Sequence, residues 1–490
     1  MDKNFFKRNY SILRILEIVI DALMIVFSFM FSVAVIEAIA GENFFLTLRD
    51  IFTGLFDQYA TIFRTQILYI ILILFFFVIY ESSVMKKKYS DVITAIVLAL
   101  TMSSVTLIVI SFIFQRLLVP PLTLGVTLIV QIILFSFYKL LLYLFVRKIN
   151  VRNVMIVGPK DETHEFAAKF LLEKHDNNTL KYILYDRKVR FDENLIDYID
   201  KVDDIYITSG TMEDNKNNIL TYTQTKRYKD VYLVPKLYEI NIINSKPAQI
   251  GDTPLFLIQS LHLTLVQRVI KRLFDLVLSI IILTVLSPLI LVLAIIIKLQ
   301  DGGSVFYKQE RITYGGKPFI LYKFRSMIVD AEAKTGAILA QVNDDRITKI
   351  GKFLRKSRLD ELPQLFNVIK GEMSLIGPRP EREIFIKQFV STIPDYKYRI
   401  NVKPGITGLA QVLGRYNTDP VDKLRFDLLY IRKYSIFLDI KIMLLTIKAL
   451  FDVRSAEGIV HKQSFFEVIE KLKLHYKEEE NMLFIEKEER

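Results

Sequence analysis

The chain has 490 residues, 52% of them hydrophobic, and a formal net charge of +12. A mean hydropathy of +0.31 is too high for an entirely soluble chain of this length and points to membrane segments. The absence of cysteine excludes disulfides, zinc–thiolate sites and thiol catalysis, and the positive charge favours lipid headgroups, nucleotides and phosphorylated lipids.

The N-terminus is basic (Lys3, Lys7, Arg8, Arg14) and then apolar. The apolar run is too long for a signal peptide and lacks a small-residue cleavage site. Stretches at 16–38, 62–80, 92–114 and 122–146 each approach the ~20 residues that span a bilayer. Lys86, Lys87 and Lys88 follow the second stretch, and Arg147, Lys148 and Arg152 follow the fourth. The other two connections are poor in Lys and Arg, so the positive-inside rule puts both ends of this four-helix bundle in the cytoplasm. Glu17, Asp21 and Glu37 sit near the ends of the first stretch, where carboxylates reach the interface.

From Val151 to about Ser260, strands alternate with helices, which predicts a Rossmann-like α/β domain with a parallel sheet. The first strand runs into Gly158-Pro159-Lys160-Asp161. There is no G-x-G-x-x-G, Pro159 removes a donor, and Asp161 repels phosphate. That favours a folded spacer, regulatory or oligomerisation module over a nucleotide site.

A fifth apolar segment covers 268–299, with basic residues at both ends. Ser287-Pro288 lies in its middle. Proline deletes one helical hydrogen bond, and a neighbouring serine hydroxyl can satisfy the freed carbonyl. Equal flanking charge predicts a helix that breaks there and returns to the same side, the other reading being an ordinary kinked span. Lys271 and Asp275, four apart, are placed to pair at the interface.

Beyond it, alternating segments around Tyr314-Gly315-Gly316-Lys317 predict a hairpin leading to Lys323 and Arg325, and a helix over 329–335 follows. Asp344, Asp345 and Arg346 organise a loop. A helix is expected over 361–370, with Leu362, Leu365, Phe366 and Ile369 on its apolar face and Gly371 as its stop. This puts Asp360 and Glu361 at a helix entry, ringed by Arg355, Lys356, Arg358 and Arg379. Alone, such a pair is mostly a capped, solvated helix start. Arg379 between Pro378 and Pro380 is a rigid guanidinium suited to gripping phosphate. The turn 404–408 offers backbone N–H groups to an anion, with Arg399 beside it. The charged tail after Val460 reads as a helical or mobile appendage.

Three long motifs in order carry a resemblance: KFRSM at 323–327, NDDRITKIGKFLRKSRLDELPQLFNVIKGEMSLIGPRPER at 343–382, and YRINVKPGITGLAQVLGR at 398–415. They resemble the monotopic phosphoglycosyl transferases, also called polyprenyl-phosphate hexose-1-phosphate transferases or bacterial sugar transferases, over about 268–450. Four spans, an α/β domain and a catalytic part resemble the large form of that family.

The resemblance implies the following. The fold is that of a membrane protein, α + α/β, with a four-helix transmembrane domain (1–150), a Rossmann-like domain (151–260), a mostly helical monotopic catalytic domain (261–460) with a re-entrant membrane helix (269–299) turning at Ser287 and Pro288, and a charged tail (461–490). The reaction is transfer of a sugar-1-phosphate from a UDP-sugar to polyprenyl phosphate, releasing UMP. Asp360 is the nucleophile and forms a covalent phosphosugar intermediate. Glu361, with Asp360, holds Mg²⁺. Lys323, Arg325, Arg355, Arg379 and Arg399 bind phosphate. Direct transfer with Asp360 as general base, and an inactive membrane scaffold or regulator, are the competing readings. The implied setting is the cytoplasmic face of a bacterial inner membrane, at the first step of capsule, exopolysaccharide or O-antigen synthesis. Partners are membrane lipid, downstream glycosyltransferases and a second copy in a homodimer. Nucleic acid is not among them, since no helix-turn-helix, zinc or RNA-binding pattern is present. Two departures stand out: Gly302-Gly303-Ser304 lacks the family's proline, and Arg358 replaces a small residue common in relatives.

Overall fold

The computed structural model describes residues 10–39, 41, 60–85, 88–115, 119–149, 151–173, 178–186, 193–226, 229–328, 345–414, 418–451, 463–479 and 481–487. The expected helix over 329–335, Asp344, Lys86 and Lys87 lie outside the described residues. Two compact units result: 1–234 together with 463–490, and 235–462. The segment 235–260, expected to close the α/β domain, therefore belongs with the second unit.

The protein is a membrane protein of mixed α/β content. Four N-terminal helices come first: α1 (Tyr10–Ile39), α2 (Ala60–Tyr80), α3 (Tyr89–Ile113) and α4 (Pro121–Ile149). The first, third and fourth are long and apolar enough to cross a bilayer, and α2 carries a shorter apolar stretch, Ile67–Tyr80. Polar side chains tie the bundle together. Tyr69 Oη donates to Gln131 Oε1 at 3.0 Å and lies 3.1 Å from Ser104 Oγ.

Glu17 and Asp21 do not reach the interface. Lys139 on α4, fully buried, donates to Glu17 Oε1 at 2.7 Å and to Asp21 Oδ2 at 2.9 Å. Ser83 Oγ and the Val84 amide also donate to Glu17, at 2.6 and 3.1 Å. The carboxylates stay inside because a cation from the fourth helix and a loop amide meet them there.

The α/β domain follows: β1 (Arg152–Gly158), α5 (Lys160–Glu173), β2 (Asn178–Tyr185), α6 (Glu193–Asp200), β3 (Asp204–Ile207), α7 (Glu213–Gln224) and β4 (Asp230–Leu233). β1 is parallel to both β2 and β3, and β3 is parallel to β4. Central β1 is apolar over Val154–Val157, all fully buried, as a strand covered on both faces must be.

The unit 235–462 begins with α8 (Leu237–Ile242) and an exposed hairpin, β5 (Lys246–Ile250) and β6 (Thr253–Leu257). Then comes α9 (Leu265–Asp301), 37 residues long. It starts in a capping box: Gln267 N donates to Thr264 Oγ1 and Thr264 N to Gln267 Oε1. It stops at Gly302, whose φ of 72° is the left-handed C-cap geometry.

The helix runs through Pro288 as one continuous element, where two arms were expected. Pro288 cannot donate to the carbonyl of Thr284, and Ser287 Oγ donates to that carbonyl instead, at 2.8 Å. The local cost of the proline is thus offset without a break. Both halves of α9 pack on its own unit. Leu278, Ile282 and Leu283 lie against the cluster of Leu365, Leu375, Ile376 and Tyr430, while Leu293 and Ile297 lie against Phe324 and Leu354.

Lys271 and Asp275 do not pair with each other. Lys271 Nζ is 2.7 Å from Asp439 Oδ2, and Asp275 Oδ1 accepts from the Leu375 amide at 3.1 Å. Each finds a better partner on the fold packed against the helix.

The remaining elements are the hairpin β7 (Phe306–Ile312) and β8 (Pro318–Phe324), then α10 (Lys349–Lys356), α11 (Gln364–Lys370), β9 (Ser374–Ile376), α12 (Glu383–Thr392), β10 (Gly405–Thr407), α13 (Leu409–Leu413), α14 (Pro420–Arg432) and α15 (Ile436–Phe451). Gly315 and Gly316, at φ 71° and 79°, make the hairpin turn as expected.

The described residues of the tail, 463–479 and 481–487, are folded, forming α16 (Phe465–Lys471), β11 (Leu474–Glu479) and β12 (Met482–Lys487). β12 pairs antiparallel with β2, giving the sheet order β11-β12-β2-β1-β3-β4. Leu483 and Ile485 enter the core with Phe465, Val468 and Ile469. Three of the charges that make the segment look mobile, Lys477, Glu478 and Glu479, lie on exposed β11.

Candidate active site

Asp360 and Glu361 do not open an α-helix. They lie in a 3₁₀ turn, Leu359–Glu361, and α11 begins only at Gln364. Pro363 supplies no amide, so the regular ladder starts after it. Arg358 enters the turn in the left-handed region, φ 55° and ψ 18°. A non-glycine residue there costs on the order of 1 kcal/mol, which the surrounding packing must hold.

Three elements converge on this turn. β8 brings Lys323, whose Nζ lies 2.8 Å from Glu361 Oε1. The Gly377–Pro380 turn brings Arg379, whose NH2 lies 3.1 Å from the same oxygen. α10 brings Arg355, whose Nε donates to Ser326 Oγ at 2.8 Å. α10 packs this closely because of Gly351, where a Cβ would overlap the backbone carbonyl of Ser326. Thr348 caps the helix, its Oγ1 accepting from the Gly351 amide at 2.9 Å.

The electrostatics separate the two acids. Burial raises the Asp360 carboxyl above its ordinary range against the pull of Lys323, and Glu361 adds to the rise, while Arg355 and Arg379 oppose it. Burial acts on Glu361 too, but Lys323, Arg379 and Arg358 overcome it and hold that carboxyl well below the usual range. Asp360 is only 8% exposed, and among the described residues no donor bonds its carboxylate. The site thus presents one clamped anion and one uncommitted carboxylate beside it.

The donor set suits Mg²⁺. Two adjacent carboxylates are what that ion takes from protein when substrate phosphate and water complete the shell. Glu361 Oε1 is taken by Lys323 and Arg379, which leaves Oε2 and the Asp360 oxygens. Among the described residues no three His, Cys, Asp or Glu converge, so no all-protein cage is present.

Two expected phosphate ligands are placed elsewhere. The Arg325 guanidinium lies over Gly303, at the position a Cβ would fill. Arg399 is buried: NH2 is 2.9 Å from Asp427 Oδ2, NH1 donates to Tyr396 Oη at 2.7 Å, and NH2 donates to the Arg379 carbonyl at 3.0 Å. It positions the Arg379 turn from behind. The second glycine turn does likewise. The Gly405 amide donates to the Pro378 carbonyl and the Gly377 amide to Thr407, both at 2.9 Å, so those donors hold the two turns together. Ser287 and Pro288 stay within α9, where both are exposed.

The expected apolar face of α11 is rotated. Gln364, Leu365, Asn367 and Val368 are the buried residues, and Phe366 is exposed. Asn367 clamps β8: its Nδ2 donates to the Ile320 carbonyl and Glu372 Oε2, both at 2.7 Å, and its Oδ1 accepts from the Tyr322 amide at 3.1 Å. The strand carrying Lys323 is thereby fixed to the helix that follows the acids. A polar pair at Gln364 and Asn367, three apart and each followed by an apolar residue, Leu365 and Val368, is the sequence signal for this. From α9, Arg272 donates to the carbonyls of Val368 and Ile369, at 2.5 and 2.8 Å, and closes the other end of α11.

In the α/β domain the amides at the carboxyl ends of the strands are taken by its own acids. Gly210 N donates to Glu162 Oε2 at 2.8 Å and Met212 N to Asp186 Oδ2 at 2.5 Å.

The sequence profile of the family described as bacterial sugar transferase matches residues 266–453. A UDP-glucose:undecaprenyl-phosphate glucose-1-phosphate transferase of Klebsiella pneumoniae is 40% identical over 300 residues, 59% of this chain and 63% of that protein. A UDP-N-acetylgalactosamine-undecaprenyl-phosphate N-acetylgalactosaminephosphotransferase of Aeromonas hydrophila is 47% identical over 184 residues, 37% of this chain and 43% of that protein. A Bacillus subtilis protein, provisionally named an undecaprenyl-phosphate N-acetylgalactosaminyl 1-phosphate transferase, is 53% identical over 131 residues, 27% of this chain and 73% of that protein. The chain thus spans less than two thirds of the first two of these relatives.

Proposed function

The chain belongs to the bacterial sugar transferase family, and on that premise we propose that it transfers a sugar-1-phosphate from a UDP-sugar to polyprenyl phosphate, giving a polyprenyl-diphosphate sugar and UMP. The observation that carries this is the buried Asp360 carboxylate, without a hydrogen-bond partner among the described residues, beside a Glu361 held by Lys323 and Arg379.

An Asp360 oxygen attacks the sugar-bearing phosphorus of the donor. The bond from that phosphorus to the bridging oxygen breaks, and UMP leaves with the electron pair. The product is a phosphosugar ester of Asp360. An oxygen of polyprenyl phosphate then attacks the same phosphorus, the acyl–phosphate bond breaks, and the aspartate is restored. Lys323 and Arg379 neutralise charge on the transferred group, and Arg355 favours the ionised form of Asp360 that must attack. Asp360 and Glu361 Oε2 are the oxygens that would hold Mg²⁺, which would draw charge from the diphosphate. Asn367, Arg399 and Asp427 keep these groups in register.

Basic residues at both ends and the packing of both halves of α9 on its own unit support a re-entrant α9, one hydrogen-bonded helix kinked at Ser287-Pro288, that holds the site at the headgroup plane, on the cytoplasmic face of the inner membrane. The relatives named above act on glucose and N-acetylgalactosamine donors, so the sugar is left to experiment. The role is the first membrane step of capsule, exopolysaccharide or O-antigen assembly, ahead of glycosyltransferases that extend the product.

The test is purified protein in nanodiscs with Mg²⁺, polyprenyl phosphate and a panel of UDP-sugars, for wild type and Asp360→Asn. Lipid-linked sugar diphosphate and UMP in equal amounts, both lost in the variant, support the reading. Activity retained by Asp360→Asn contradicts it.

A further inference from the structure

We propose that Lys423, on α14, is a further binding residue for a substrate phosphate, gripping it together with Arg379. The assignment rests on the transferase reading above.

The observation is an ammonium left over. On α14, Asp422 pairs with Arg425 at 2.6 Å and Asp427 with Arg399 at 2.9 Å, and Arg432 donates to the carbonyls of Gln259 and Asn241. The Lys423 ammonium has no hydrogen-bond or ion-pair partner among the described residues. It does not hang in solvent either: it is half-buried. It lies one turn before Asp427 on the same face of the helix. The charges acting on it are Glu381, Arg379, Arg399 and Asp427.

Both nearby carboxylates are already held. Asp427 belongs to Arg399, and Glu381 lies 3.6 Å from Arg399 and 3.9 Å from Arg311. Lys423 is therefore the cation in excess near the Arg379 turn. A partly desolvated ammonium beside two guanidiniums is unfavourable until an anion arrives. The Arg379 side chain is 46% exposed and has one nitrogen on Glu361, so it can offer the rest of its fork to the same anion. A tetrahedral, anionic phosphoryl group suits a point charge on one side and a planar fork on the other. Two phosphates of the reaction have that chemistry: the diphosphate of the nucleotide sugar and the phosphate of the lipid.

The experiment is Lys423→Met and Lys423→Arg in the full-length protein in nanodiscs, with initial rates against each substrate in turn. The expected result for the Met variant is a KM raised about tenfold or more for one substrate, with kcat within about threefold of wild type, and partial rescue in the Arg variant. A rise for the UDP-sugar alone identifies the nucleotide diphosphate, and a rise for polyprenyl phosphate alone identifies the lipid. Both KM values within about twofold of wild type overturn the proposal, as does a fall in kcat alone, the mark of a structural role. Should the Met variant not fold, lysine acylation of the wild type read by peptide mass replaces it. Labelling of Lys423 slowed by one saturating substrate supports the assignment, and labelling indifferent to both refutes it. A wild type that transfers from no UDP-sugar sinks the transferase reading itself. An active wild type with an indifferent Met variant sinks only the assignment of Lys423.

Discussion

Gly351→Ala tests whether the placement of α10, and not only its charge, sets activity. The added Cβ would overlap the Ser326 carbonyl oxygen and carbon. Reaching an ordinary contact of roughly 3.5 Å requires the helix to retreat by more than about 1 Å, since the obstacle is backbone and cannot rotate away. Arg355, one turn further on, is then drawn off Ser326 Oγ, now at 2.8 Å. A separation beyond about 3.5 Å is no longer a hydrogen bond. Stability falls by up to about 2 kcal/mol: alanine gains about 1 kcal/mol in a helix over glycine, against roughly 1–3 kcal/mol for overpacking. Catalysis suffers more, because a displacement of ~1 Å in a positioned group costs about 10²-fold. The assay is UMP release under saturating substrates, with the thermal transition measured alongside. An alanine variant within about threefold of wild-type turnover, and equally stable, would refute the idea that this contact sets the geometry.

Asn367→Leu keeps the volume but strips the clamp on β8, and the Tyr322 amide and Ile320 carbonyl lose their partner; a loss of about 2–4 kcal/mol is expected in denaturant unfolding. Arg355→Met removes a cation that favours the ionised Asp360, so the acid limb of kcat/KM moves to higher pH; a limb unmoved or moved down contradicts this. Lys139→Met strands two buried carboxylates in the bundle and costs about 3–5 kcal/mol, read as lower thermal stability in detergent, and adding Glu17→Gln with Asp21→Asn recovers most of it. Leu483→Ala opens a cavity under β12 and costs about 2–5 kcal/mol, read as faster amide exchange along β2.

Periodicity reveals elements well and partners poorly. The alternating strands and helices of the α/β domain, the Gly315-Gly316 hairpin and the four apolar helices were all legible, because each is a local pattern. The acids and their arginines were legible only as a string. Which arginine faces them depends on long-range packing: Arg379 does, whereas Arg399 turns to Asp427 and Arg325 to Gly303. Lys139 was hidden for the same reason. A lysine inside an apolar run reads as a cost until a second helix supplies Glu17 and Asp21. The C-terminal hairpin was masked by composition. The exposed charges of β11 outweigh the short apolar core of β12, and nothing local says that its pairing partner lies some three hundred residues earlier. Asn367 was passed over because a polar residue on a buried face makes sense only once the unpaired edge of β8 is known.

The central claim is that Asp360 becomes covalently phosphorylated by the sugar phosphate. The most direct measurement is the intact mass of the protein after mixing with UDP-sugar and Mg²⁺ and no lipid acceptor. The account predicts a mass increase equal to one sugar phosphate, matched by a stoichiometric burst of UMP, mapped to Asp360 and discharged by adding polyprenyl phosphate. Lipid-dependent turnover with neither adduct nor burst would contradict it and leave direct transfer, with Asp360 as a base, in its place.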